Sequence, residues 1–566
     1  MLKEPAFDLR LENLERLTSA KFVTDLAASA IEAIKTVAEA GHPLVVLASG
    51  GKDSTVVTCL TIAAMQAIKA SGMPVPPLYM LSSDTGIENP EVLALLHETH
   101  RSIVITGEEQ GFEVHSHIVR PRLSERWWVG IIGGDQMPSF PDGRAHCSVD
   151  MKIAPMSRAI KAIQKEVASR GFRGPVTLLG TRFDESRVRG ASMMARGESS
   201  RALREATVGG VTCQSLSPIC EWSAESVWAY LQGAGTSGRY PGYRRSFNEI
   251  YALYDAAAGG ECVLVETQDQ VRKAEGCGSG RFGCHQCARV KRDRSVENML
   301  LLPEFEYLRP LHDLREYMRL TRFGLQRRRW LGRSIDDETG ALAVFPNAYS
   351  AEECASLLRM VLTIDRQERE RAASESQDPR FQNLTLEDVV AIDFRWSMNG
   401  LHRPHEALRI WREIGMGRGL LDVPHVHESP KVEIPDADRL PGDQASWNSL
   451  WGRRDVMLES LYFDHDLFLA DGGRGSAASG SPHWRDSAHW EIDQESLGLF
   501  ERFELDERLA ETEPLTRAQS TAAARYYLRL GLVGYPRRMG GTIDRQMRYG
   551  QYSPGFDEAA AAHCQG

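Results

Sequence analysis

The feature that most constrains this 566-residue chain is a short segment near its start, Pro43-Leu44-Val45-Val46-Leu47-Ala48-Ser49-Gly50-Gly51-Lys52-Asp53-Ser54. Leu44 to Ala48 is a short continuous apolar run, the pattern of a strand buried on both faces. Two glycines follow, and from Thr55 to Ala70 the apolar spacing is helical. In a strand–glycine turn–helix unit the loop amides curl around an anion and the helix amino end adds partial positive charge, so Ser49–Ser54 reads as a phosphate cradle. It is not a Walker A loop, because Val46 stands where that motif needs glycine and Asp53 stands where it needs Ser or Thr. The plainer alternative is a glycine turn with a helix cap.

The same alternation continues. Strands are expected at Leu78–Ser82, Phe112–Val119 and Val176–Gly180, with helices at Glu91–Arg101 and Met156–Ser169. A long helix ending at Gly41 precedes them, read from apolar positions between Leu14 and Val37. This predicts an α/β fold with a doubly wound, mostly parallel sheet. The pattern fades after about residue 240, which divides the chain into a helical segment (1–40), an α/β domain (41–240), a Cys-rich and basic segment (241–335) and a mainly helical region (336–566). In the last, 349–371, 386–415 and 514–532 read as helices, and Gly/Ser-rich 471–482 reads as a mobile linker.

Composition narrows the function classes. No run approaches the roughly 18 apolar residues of a membrane helix, and the N-terminus lacks the basic and apolar blocks of a secretory signal, so no membrane association and a cytoplasmic location are expected. Ten cysteines are too few for a disulfide scaffold in so long a chain. The net charge of −10 opposes general attraction to nucleic acid. Yet Val271–Arg333 carries 15 Lys and Arg against 7 Asp and Glu, including Arg327-Arg328-Arg329-Trp330. That stretch is either a nucleic-acid backbone contact with Phe323 or Trp330 stacking, or a basic helix face docked on the chain's own acids.

The loop resembles the SGGxDS signature of the PP-loop ATP pyrophosphatase superfamily. The resemblance implies cleavage of ATP between its α- and β-phosphates. Ser49, Gly50, Gly51 and Ser54 would then grip pyrophosphate, Lys52 would neutralise the leaving group, and Asp53 would orient the loop or hold Mg²⁺. Three further segments resemble the sulfonucleotide (phosphoadenosine phosphosulfate) reductase branch, in its order: Leu81-Ser-Ser-Asp-Thr-Gly86 with Glu88-Asn-Pro-Glu-Val92, Gly180-Thr-Arg-Phe-Asp-Glu-Ser186 with Arg187 and Arg189, and Pro218-Ile-Cys-Glu-Trp222 with Trp228 and Tyr230. These add Arg182 and Asp184 as catalytic candidates and Asp84 and Arg187 as nucleotide-binding ones, all just beyond expected strands.

Cys277, Cys284 and Cys287 follow a C-x6-C-x2-C spacing, and Cys147 lies in His146-Cys-Ser-Val-Asp-Met-Lys152, which is similar to the cysteine-bearing stretch of iron–sulfur reductases. Four thiolates suit a [4Fe–4S] cluster or Zn²⁺, with unligated core cysteines as the plainer alternative, and only the resemblance favours the cluster. Cys262 is a candidate substitute ligand or sulfur carrier, and His285 is expected to support the site from behind or face solvent. Cys59, Cys213, Cys220, Cys354 and Cys564 read as buried or incidental thiols.

The branch's nucleophilic E-C-G-x-H segment is absent, while the loop is intact and suited to ATP itself. Both departures resemble the DndC- and SspD-type ATP pyrophosphatases of DNA phosphorothioation, through about residue 300. That resemblance implies adenylylation of a DNA phosphate for sulfur insertion, with DNA, a cysteine desulfurase and other phosphorothioation proteins as partners. The alternatives are a sulfonucleotide reductase, a tRNA-thiolating enzyme, or a binding scaffold without catalysis.

Overall fold

A computed structural model describes residues 19–141, 147–185, 187–208, 210–235, 239–240, 242–243, 246–259, 282–335, 342–431, 439–440 and 490–536, with 543, 547 and 550. The linker expected at 471–482 lies outside these. The chain forms two compact units, the first comprising residues 1–120, 148–285 and 292–306, the second 121–147, 286–291 and 307–566.

The first unit opens with α1 (Ala20–Glu39), capped by the Ser19 side chain. Strand β1 (Leu44–Leu47) leads through the glycine loop into α2 (Lys52–Ala70), and β2 (Leu78–Ser83) into α3 (Pro90–Gln110). Then come β3 (Val114–Val119), α4 (Ala154–Ser169), β4 (Val176–Leu178), α5 (Arg187–Ala195), β5 (Arg204–Val208), β6 (Val211–Leu216), α6 (Ala224–Gly235), α7 (Asn248–Ala258) and the single-turn α8 (Arg294–Met299). The sheet order is β3-β2-β1-β4-β6-β5. All neighbours are parallel except the β5–β6 pair. The expected doubly wound sheet is therefore present.

Both faces of the sheet are covered. On one, Ile160, Ile163 and Val167 of α4 pack on Val45, Tyr79 and Leu81. On the other, α2 is buried almost all round, Val56 to Met65, because α1 and α6 pack on its outer side. Two expected boundaries shift for visible reasons. Helix α2 begins at Lys52, since Gly51 takes the N-cap position, and α3 runs on to Gln110, because Ile103 and Gly107 continue its buried stripe up to the left-handed Gly111.

The second unit begins with a segment that leaves the sheet after β3. Its short helix Trp127–Ile132 is entirely buried. Arg126 pairs with Glu387 and Asp388 at 2.7 Å, and the Trp396 indole donates to the Ile132 carbonyl at 2.7 Å. The unit continues with α9 (Arg309–Leu320), antiparallel β7 (Arg328–Ile335) and β8 (Leu342–Tyr349), and α10 (Ala351–Ser374). The helix expected over 386–415 is two, α11 (Leu386–Asn399) and α12 (Glu406–Gly415). Left-handed Gly400 ends the first and Pro404 with left-handed His405 resets the chain. Helix α13 (Thr521–Leu530) is shorter than the expected 514–532. The β7–β8 pair and a small Glu491–Ile492/Val533–Gly534 pair add strands to a region expected to be mainly helical.

The basic stretch is not one helix face. Arg328–Ile335 is a strand, and many guanidiniums are engaged by the chain itself: Arg322 by Glu428 and Arg327 by Glu353 at 2.7 and 2.6 Å, and buried Arg315 by the Cys287 carbonyl at 3.0 Å. Arg289, Lys291 and Arg294 remain exposed.

Beneath the glycine loop, buried His100 bonds Ser82 and Ser116 at 2.7 Å each, and Ser82 donates to the Ala48 carbonyl at 2.7 Å. Burial, then His97 and His117, lower its pKa from 6.5 to about 4. The unfolded chain therefore takes up a proton in this window that the folded chain refuses, so His100 lowers stability by about 2–3 kcal/mol as pH falls from 6.5 to 4. Urea unfolding should show wild type losing more stability between pH 7 and 4.5 than His100→Asn; equal losses would refute the neutral, buried imidazole.

Candidate functional site

The sheet order places β1 between β2 and β4, and the crevice beyond the carboxyl ends of β1 and β4 is the topological switch point where doubly wound sheets bind ligands. Ser49–Ser54 leaves β1 there. Gly50 is left-handed at φ 75°, and a Cβ on it would lie 2.9 Å from the Val92 carbonyl oxygen, so only glycine lets the loop pass this close to α3. The Ser54 hydroxyl donates to the Gly51 carbonyl at 2.9 Å and accepts from the Ser49 amide at 3.2 Å, which fixes the curl. Gly51 gives α2 no side-chain cap, leaving its amino end suited to an anion.

Charge is arranged around this curl. The Lys52 ammonium lies 3.5 Å from Asp53 Oδ2 and 5.1 Å over the Tyr254 ring. Asp53 Oδ1 accepts from Arg182 Nε at 2.7 Å. Arg182 is only 3% exposed, and its Nη1 also reaches the Trp222 carbonyl at 3.3 Å. The chain behind Arg182 presses on the loop as well, since a Cβ on Gly180 would meet the Ser54 amide nitrogen at 3.0 Å. Asp184, with its side chain 59% exposed, lies 3.7 Å from Arg182. The backbone of Arg187 opens α5.

Asp84 is buried and builds its own turn, Oδ1 accepting from the Gly86 amide at 2.8 Å and Oδ2 from Arg120 at 2.6 and 2.8 Å. Ser49, Gly50, Gly51, Lys52, Asp53, Ser54, Arg182 and Asp184 thus converge, whereas the Asp84 carboxylate faces Gly86 and Arg120. Tyr254, not singled out from the sequence, closes the cradle. Its hydroxyl accepts from the Lys52 amide at 3.4 Å, and its ring is wedged edge-on against Trp228 and Phe282. The spacing Ile250, Leu253, Tyr254, Ala257 put it on the inward face of α7 and was the available signal.

The cysteines divide. Cys277 and Cys262 lie outside the described residues. Cys284 forms an antiparallel bridge with Glu88, and the His285 amide donates to the Ile87 carbonyl at 2.8 Å. Glu88 holds Lys152 at 2.8 Å with Oε1, and its Oε2 lies 4.0 Å from Cys284 Sγ. In the second unit, the Ser139 hydroxyl contacts Cys147 Sγ at 3.9 Å. No disulfide joins the described cysteines. Among the described residues no group of three or more His, Cys, Asp or Glu is placed to hold a metal ion. His285 is buried rather than facing solvent, and burial pushes its pKa down to about 3. Cys59, Cys220 and Cys354 are buried core thiols, as expected, and Cys213 is half-buried.

The loop geometry makes Gly50→Ala diagnostic. A left-handed, crowded alanine is expected to destabilise the first unit by about 1–3 kcal/mol and to weaken nucleotide binding. Urea unfolding and ATP titration check both, and unchanged values would contradict the close approach to α3.

Among the described residues no helix is long and apolar enough to cross a membrane. No curated protein matches the chain. A family model does match, over the segment that contains β1 to β6, the loop, Arg182 and Trp222. Residues 43–238 match the family model of the phosphoadenosine phosphosulfate reductase domain, so this part of the chain is similar to that family.

Proposed function

We propose that this chain is an ATP pyrophosphatase that adenylylates a DNA backbone phosphate so that sulfur can replace one of its oxygens. The observation that carries the reading is the intact Ser49–Ser54 cradle at the switch point, with Lys52 at its mouth and Asp53 tied back by Arg182. Ser49, Gly50, Gly51 and Ser54 would hold the β- and γ-phosphates of ATP, and Lys52 would offset charge growing on the bridging oxygen as pyrophosphate leaves. Mg²⁺ would supply further charge neutralisation. It would arrive on the phosphates, because Asp53 and Asp84 already face cations.

A DNA phosphate oxygen attacking the α-phosphorus releases pyrophosphate and becomes an adenylate. AMP then departs as the terminal sulfur of a desulfurase-derived persulfide attacks the same phosphorus, and a second thiol cleaves the S–S bond, leaving sulfur on phosphorus and a disulfide between the two thiols. Without this activation the phosphodiester oxygen is a very poor leaving group. Exposed Arg289 and Lys291 support a backbone contact just beyond Cys287.

We further propose that Cys147, Cys277, Cys284 and Cys287 hold a [4Fe–4S] cluster, with Zn²⁺ as the alternative occupant of the same thiolates. The support is their residue type, the C-x6-C-x2-C spacing and the backbone bridge from Cys284 to the nucleotide domain.

Anaerobically purified chain should release pyrophosphate from ATP in a DNA-stimulated manner. Lys52→Ala should lower that rate by about 100-fold or more, and Asp53→Ala should lower it too. Full release by either variant would refute the loop assignment. Sulfite formed from an adenylated sulfate without ATP would assign the domain to sulfonucleotide reduction instead. Iron and acid-labile sulfide in the same sample test the cluster, and zinc alone would replace it.

A further inference from the structure

We propose that the second unit contains a separate binding site for a small phosphate monoester, of sugar-phosphate or mononucleotide size. It is a cavity of about 540 Å³ at the amino end of α13, bordered by His405, Arg508, Arg525, Tyr526 and Arg529. That volume is in the range of small-molecule pockets, about 300–1,000 Å³.

Among the described lining residues there are three arginines and no carboxylate. Arg525 and Arg529 sit one helical turn apart, so they repel each other, and among the described residues neither forms an ion pair. The Tyr526 ring holds Arg508 and Arg529, whose guanidiniums lie 4.4 Å and 5.7 Å from its centre, while its hydroxyl donates to Glu504. Arg508 also pairs with Glu511 at 2.6 Å, which directs one edge away and leaves the rest of the fork on the cavity wall. A carboxylate is saturated by one bidentate arginine, whereas a tetrahedral dianion presents three oxygens to three forks.

An independent observation concerns His405, whose ring meets that of Tyr526 edge-on at 5.9 Å. Among the described residues His405 is one of two non-glycine residues with a left-handed backbone, φ 61°, and it is 2% exposed. The Tyr527 hydroxyl donates to Asp393 Oδ2 at 2.8 Å and accepts from His405 Nδ1 at 2.8 Å. Burial, then Asp393, keep the Tyr527 hydroxyl protonated well beyond the usual range. The proton on that side of the imidazole is therefore fixed on Nδ1. Nε2 makes no hydrogen bond among the described residues and remains to meet a ligand, accepting from a hydroxyl when neutral or donating to a phosphate oxygen when charged. A buried Asp–Tyr–His chain held in a strained backbone conformation at a cavity wall is the mark of a positioned contact rather than of packing alone. The phosphate belongs on the arginines, the hydroxyl-bearing body on His405.

The probe is ribose 5-phosphate, titrated calorimetrically into the full chain, with adenosine monophosphate and a short DNA strand with or without a 5′-phosphate as further arms. One saturable site is expected, weakened by about tenfold or more in Arg525→Glu/Arg529→Glu and unchanged in Lys52→Ala. No saturable binding, or undiminished binding by the charge-reversed variant, overturns the proposal, and loss of binding in Lys52→Ala moves the site to the glycine loop. Tighter binding of the 5′-phosphorylated strand than of either small molecule makes a nucleic-acid end the occupant and overturns the small-molecule assignment. Should the double variant misfold, phenylglyoxal labelling of the unaltered chain decides: protection of Arg525 and Arg529 by ribose 5-phosphate is expected, and unprotected labelling overturns the site. The proposal stands independently of ATP cleavage.

Discussion

The buried contact between Arg182 and Asp53 is the constraint on which the rest of the α/β unit depends. It joins the loops that leave two adjacent parallel strands, β1 and β4, at the one place where the sheet turns outward in both directions. Arg182 is almost wholly inaccessible and also holds the Trp222 carbonyl, so one guanidinium ties together three of the chain segments at the crevice. Truncating one member of such a pair leaves a poorly solvated charge behind, a cost of about 3–5 kcal/mol in well-buried cases. The glycine loop is consequently held from behind by charge and from the side by close backbone packing, and its shape is set before any phosphate arrives.

The second unit rests on a different device. Helix α11 is buried along nearly its whole length, and its polar side chains are not stray: Asp388 and Glu387 face Arg126, Trp396 faces the Ile132 carbonyl, and Asp393 accepts from Ala407 and Tyr527. The segment 121–147 belongs with this helix although it is encoded inside the nucleotide domain. An excursion of this kind builds the two units from interleaved stretches of one chain.

Much of the first unit was legible because a parallel sheet buried on both faces writes its strands as uninterrupted apolar runs, such as Leu44–Leu47 and Leu78–Leu81. The loop was legible because glycine and charge at fixed offsets have few other uses. What could not be read was long-range. Nothing local in Pro121–Cys147 says that Trp127, Trp128 and Ile132 leave the sheet, and the basic run around Arg327 carries no sign that Glu353 and Glu428 await it. The break at Gly400 and Pro404 was written in the sequence but was masked by an apolar periodicity that continued on both sides. Tyr254 was hidden for a related reason, since its partner Lys52 is 202 positions away.

The bridge between Glu88 and Cys284 has a mechanical consequence. A strand-like backbone pairing transmits displacement far more stiffly than a side-chain contact, and this one fastens the cysteine stretch to the turn that Asp84 organises beyond β2. The Cys284 thiol therefore cannot drift independently of that turn. The Cys284 backbone follows that of the turn, so a displacement of the turn carries the cysteine stretch with it.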